Sequence, residues 1–194
     1  MESTFSKESR NEALDNFKFS KNDCCNASFL KGYFYRADLT EETEKFTYKP
    51  DLTKSAKVIK KLMSRYDIDS YVVEKEQEGK RQVTKIYITE PESVKTLYTF
   101  LNNDSFCNNC ATNFLTGVFV SDGILVNPEK DYHLEFTYKD EKLANNLLNT
   151  LKFAGFDFKI TKRRASYAVY TKNSQTIEEF LVTVGAQQSC LELM

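Results

Sequence analysis

The chain has 194 residues, 41% of them hydrophobic and 28% charged, with a formal net charge of −1. That length fits one large domain or two small ones, and the apolar share is enough for a real core. Near-neutral charge excludes bulk basicity as a route to nucleic acid, so any such contact must come from a local patch.

In chain order, residues 1–19 open with MESTFSKESRNEALD, which is polar and has no apolar signal-peptide segment. This extension is expected either to pack on the domain or to be flexible. No apolar run approaches the roughly 18 residues needed to cross a bilayer. A soluble cytoplasmic protein without membrane contacts is therefore expected. A helix is predicted over 24–36, carrying FLKGYFYRAD. Two extended segments follow, with LTEETEK as the turn between them and FTYK at 46–49 as the end. An amphipathic helix over 52–66 sets Val58, Ile59, Leu62, Met63 and Tyr66 at helical spacing, with Thr53 as the expected N-cap. The run SYVVEKEQEGKRQVTKIYI then reads as a hairpin, and a helix over 91–101 closes the unit.

The same series recurs. A helix over 108–121 carries FLTGVFVSDG, the turn VNPEKDY is punctuated by Asn-Pro, and FTYK returns at 136–139. The amphipathic helix over 141–154 carries Leu143, Leu147, Leu148 and Leu151, with Asp140 as the expected N-cap and Gly155 as the stop. In FDFKITKRRASYAVYT the residues Phe156, Phe158 and Ile160, then Tyr167 and Val169, alternate as in strands. A last helix covers 174–184. An offset of 85 residues pairs Cys25 with Cys110, Phe29 with Phe114, Leu30 with Leu115 and Gly32 with Gly117, and FTYK recurs at an offset of 90. The chain thus reads as α+β, with two pseudo-symmetric αββαββα halves over 20–103 and 104–194. Each half has an antiparallel sheet with helices on one face.

Glycine inside a helix costs about 1 kcal/mol against alanine. Gly32 and Gly117 hold the same place in the repeat, so the two helices are expected to pack together there along a pseudo-two-fold axis. Leu115–Gly123, LTGVFVSDG, resembles the nine-residue LAGLIDADG motif of homing endonucleases, and Leu30–Asp38 is a weaker copy. The resemblance implies paired motif helices between two αββαββα halves. In that family the eighth motif residue of each helix is an Asp, and the two hold divalent metal at the DNA backbone. Here those positions are Asp122 and Ala37. With one carboxylate missing, no catalytic residue is assigned, no catalytic metal is expected and the chain is read as not an enzyme. Asp122 is expected to be a helix-end residue before Gly123.

The runs NPEKDYHLEF, YAVYTKNSQTIEEFL and VGAQQSCLELM are similar to the WhiA regulators of Gram-positive bacteria, with TFSKESRNEAL and the CC pair fitting their first half. That likeness implies transcriptional regulation of sporulation or cell division, at the nucleoid, through DNA or other regulatory proteins. WhiA proteins continue into a helix-turn-helix domain that would carry sequence-specific affinity. This chain stops at Met194 and is expected to be a truncated or shortened relative.

Three further features bear on binding and chemistry. The basic hairpins EGKRQ (Lys80, Arg81) and KITKRR (Lys159, Lys162, Arg163, Arg164) are candidate phosphate contacts, opposed by nearby acidic runs. His133, the one histidine, is expected to be structural beside Glu135. Five cysteines, an odd number, fit reduced thiols rather than a disulfide framework. Pairing of the motif helices would bring Cys24, Cys25, Cys107 and Cys110 to one end. The adjacency of Cys24 and Cys25 argues against shared ligation, so buried thiols without cofactor are expected.

Overall fold

The computed structural model describes residues 4–102, 107–126 and 131–193. The chain folds in the order α1 (Thr4–Asn16), α2 (Asp23–Tyr33), β1 (Phe46–Tyr48), α3 (Thr53–Ser64), β2 (Tyr71–Glu78), β3 (Arg81–Ile88) and α4 (Pro91–Leu101). It continues through α5 (Cys110–Asp122), β4 (Ile124–Leu125), β5 (Leu134–Tyr138), α6 (Glu141–Phe153), β6 (Lys159–Lys162), β7 (Tyr167–Thr171), α7 (Ser174–Thr183) and α8 (Gln187–Leu193). Two antiparallel sheets result, ordered β1-β3-β2 and β4-β5-β7-β6. The repeat is therefore present as an α+β fold with one sheet per half.

The halves are not equal. The second has the four strands expected of it, while the first has three among the described residues. The segment before β1 forms no strand: Thr43 N–H donates to the Thr40 carbonyl (3.2 Å) and Thr40 N–H to the Thr43 hydroxyl (3.0 Å). This closed local turn competes with strand pairing. The corresponding turn of the second half, VNPEKDY, lies largely outside the described residues.

The amphipathic helices form where their periodicity places them. Ile59, Leu62 and Met63 of α3, and Leu147, Leu148 and Leu151 of α6, are buried against their sheets. Asp140 caps α6 by accepting from Lys142 N–H at 2.7 Å, and Gly155 follows the helix with φ +91°. Thr53 is not a cap: it is the first residue of α3, and Leu52 occupies the cap position without a side-chain bond. Thr53 instead accepts from the Thr84 hydroxyl at 3.3 Å.

The N-terminal extension packs on the domain. Helix α1 contacts α5 and α8, and its Arg10 is 1% exposed. Glu12 accepts from Gln188 N–H (2.7 Å) and Ser189 N–H (2.9 Å), tying the start of the chain to α8. Asn16 reaches the Gly185 carbonyl at 2.7 Å. No helix among the described residues is long and apolar enough to cross a membrane.

Candidate functional site at the paired motif helices

Helices α2 and α5 pack backbone against backbone because both carry glycine at the crossing. A Cβ added at Gly32 would stand 2.0 Å from the Phe114 carbonyl oxygen, and one at Gly117 would stand 2.1 Å from that of Phe29. Backbone meets backbone, so no side chain could yield to make room. The pairing follows the 85-residue repeat, so the helices run in parallel: both N-termini lie at one end and both C-termini at the other.

At the C-terminal end Asp122 is the last residue of α5, with its side chain 3% exposed. It is more than a helix-end residue. Arg36 Nε lies 3.1 Å from its Oδ1, close in distance though not aligned as a hydrogen bond. The Tyr138 hydroxyl donates to Oδ2 at 3.4 Å. Tyr48, the matching tyrosine of the first FTYK strand, bonds Ser121 Oγ (3.1 Å) and the Tyr33 carbonyl (3.1 Å). Burial pushes the Asp122 carboxyl above the usual aspartate range, with Arg36, Ser121 and Arg10 pulling the other way. Burial works against the Arg36 charge, but the oxygens of Asp122, Tyr48 and Asp51 outweigh it and raise its pKa.

Two guanidinium groups close this end. Arg10 donates to the Val120 carbonyl (3.0 and 2.8 Å) and to that of Ser121 (2.7 Å), satisfying carbonyls that α5 leaves without helical partners. Arg36 also lies 3.7 Å from Asp51, which Arg10 approaches at 3.9 Å. Ala37 is partly buried beside the core, and Asp38 is exposed. Asp38 and Asp51, both exposed, line the cavity beside Arg36. Sequence reasoning missed Arg10 and Arg36. The available signal was the arginine immediately before the degenerate position.

At the N-terminal end the sulfurs of Cys24, Cys25, Cys107 and Cys110 all lie within 4.8 Å of one another. Among the described residues this is the one group of three or more His, Cys, Asp or Glu side chains that converges closely enough to share an ion. Burial pushes the Cys25 thiol up to about 12, while hydrogen bonds from Cys25, the Asn109 backbone and Cys24 bring Cys107 down to about 7.

The candidate phosphate contacts do not form one surface. Strand register puts Lys159 on the open face of the second sheet and Lys162 on the opposite face, where it lies over the Tyr167 ring at 5.6 Å. Arg163 is held by Glu135 in a two-pronged ion pair (3.0 and 2.6 Å), and His133 bonds the same carboxylate at 2.7 Å. Against the cost of burial, Arg163 and His133 keep the Glu135 carboxyl below the usual range. Arg164 is exposed in the loop before β7. In the first half Lys80 and Arg81 are exposed at the hairpin tip, while Lys85 pairs with Glu76 at 2.8 Å and Lys49 pairs with Glu78.

The family model of the WhiA LAGLIDADG-like domain matches residues 27–106 and 111–194. The chain belongs to the WhiA family. It is 30% identical over 155 residues to the probable cell division protein WhiA of Clostridium botulinum (strain Hall), covering 70% of this chain and 49% of that protein. The probable cell division protein WhiA of Clostridium novyi (strain NT) is 38% identical over 86 residues, 44% of this chain and 27% of that one. The chain thus spans about half the length of the curated WhiA relatives it matches at 70% coverage. Full-length WhiA from Thermatoga maritima superimposes with TM-score 0.79 at 25% identity, over 98% of this chain and 65% of that one. The homing endonuclease I-DmoI, in complex with DNA and Mn, shares the fold, with TM-score 0.61 at 13% identity over 84% of this chain and 97% of that one.

Proposed function

We propose that this chain is the non-catalytic LAGLIDADG-like module of a WhiA-type regulator of cell division and sporulation, working at the nucleoid through DNA or protein contacts. The Arg36–Asp122 pair carries the reading. Metal-assisted phosphodiester cleavage needs carboxylates open to a hydrated Mg²⁺ and a positioned water. Asp122 is buried, its partner position is Ala37, and the Arg36 guanidinium lies 3.1 Å from its carboxylate. The fold shared with I-DmoI fits descent from a nuclease without its chemistry.

A stand-alone DNA platform is the second reading, favoured by Lys159 and Arg81 on the open sheet faces. Glu76, Glu78 and Glu135 stand among those cations and oppose phosphates, so affinity of the isolated chain is expected to be weak. Plasmid nicking with Mg²⁺ or Mn²⁺ tests the proposal, with Asp122→Asn as the control. The expected result is no nicking above buffer. Metal-dependent nicking that Asp122→Asn abolishes would establish the endonuclease instead.

A further inference from the structure

We infer that Cys24, Cys25, Cys107 and Cys110 form a four-thiolate site for a single zinc ion that clamps the two halves together at the start of the motif-helix pair. Cys25 and Cys107 sulfurs are 3.2 Å apart, Cys107 and Cys110 are 3.6 Å apart, and none of the four is more than 4.8 Å from another. Zn–S bonds of about 2.3 Å in a tetrahedron require sulfurs about 3.8 Å apart. The four thiols bracket that spacing before any ion draws them together. An iron–sulfur cluster distributes its cysteines over several irons and needs a wider frame.

The donor set decides the class of ion. Four thiolates select zinc or another thiophilic metal and reject Mg²⁺ and Ca²⁺, which take oxygen ligands. Cys107 and Cys110 have the two-residue spacing of structural zinc sites. The Cys107 backbone N–H already donates to Cys110 Sγ at 3.3 Å, an orienting bond of the kind that holds a ligand in place. Adjacent Cys24 and Cys25, which the sequence reading set against joint ligation, nevertheless bring both sulfurs into the group because they lie in the first turn of α2.

Charge balance points the same way. Four thiolates around Zn²⁺ carry a net charge of −2. Helices α2 and α5 both begin at this cluster, and their N-terminal partial charges face it. Cys25 and Cys110 are buried, while Cys24 and Cys107 are half-buried, leaving an entry path for the ion. The ligands come in equal number from each half, so the ion would link segments 82 residues apart.

The test is metal analysis of untagged chain, purified with reductant and without chelator from zinc- and iron-supplemented cells. About one zinc per chain is expected. Titration of the thiols with a mercurial should release that zinc into a colorimetric chelator, and Co²⁺ exchanged into the site should show the absorption of a tetrahedral thiolate complex. The Cys25→Ser/Cys110→Ser variant should lose at least tenfold in zinc content. If it does not fold, the mercurial release and cobalt spectrum on the unaltered chain decide. Clearly sub-stoichiometric zinc, iron in its place, a cobalt spectrum without thiolate bands, or a Cys25–Cys107 disulfide in the freshly isolated chain would each overturn the inference.

Discussion

The two ends of the α2–α5 pair are opposites in charge and in chemistry. Four sulfurs gather at the shared N-terminus. Two guanidiniums and one buried carboxylate gather at the shared C-terminus. Each arrangement suits the helix dipoles, which favour anions at the first end and cations at the second, by about 0.3–1 kcal/mol per group near the surface. In a LAGLIDADG nuclease the C-terminal end draws a divalent cation. Here Arg10 and Arg36 supply positive charge at that end, and the metal site we infer lies at the thiols of the other end.

Both ends depend on the two helices staying in contact, so the largest effect comes from separating them. Gly117→Ala should destabilise the fold by about 3 kcal/mol or more, because the added carbon meets the Phe29 carbonyl and nothing can yield. In thermal melts that is a fall of about 10 °C for a chain of this size. Gly32→Ala should do the same, and a melting temperature unchanged in both would refute the close crossing.

Arg10→Met acts on one end only. It removes charged hydrogen bonds to Val120 and Ser121 and should cost about 2–3 kcal/mol in urea denaturation, with zinc content unaltered.

Two carboxylate pairs sharpen the contrast through opposite signs. Asp122 has a raised pKa in the fold. The stability it contributes is full below the ordinary aspartate value and is lost as pH rises through the folded value. Asp122→Asn should therefore gain stability relative to the unaltered chain as pH rises through that window. Glu135 has a lowered pKa. Its contribution is present above the ordinary glutamate value and disappears as pH falls through the folded value. Arg163→Gln should cost about 1 kcal/mol at pH 7, discounted for the half-exposed guanidinium, and nothing once Glu135 is protonated. Denaturation across pH checks both. The smallest effect belongs to Lys159→Gln, which should leave stability within about 0.5 kcal/mol and lower the salt slope of any DNA binding by about 1.

Much of this was legible in the sequence. Helices α3 and α6 announce themselves because apolar residues at helical spacing bury one stripe. The repeat of Gly32 and Gly117 marks the crossing, where only a missing side chain allows the approach. The sequence leaves residues 1–19 open between packing and flexibility because the anchors are Arg10 and Glu12, residues that composition assigns to solvent. Their partners, the carbonyls of α5 and the amides of α8, are far along the chain and invisible to local pattern. The same reason hid Arg36 as the partner of Asp122. It also made Arg163 read as free for phosphate when Glu135 holds it. The first-half strand failed because Thr40 and Thr43 close a turn that a propensity reading passes over.

Native mass spectrometry of the chain offered Zn²⁺ and Mn²⁺ together tests the contrast between the two ends most directly. One bound zinc and no specifically bound manganese is the predicted result. Manganese binding that disappears in Asp122→Asn, or a chain that retains no zinc, would contradict it.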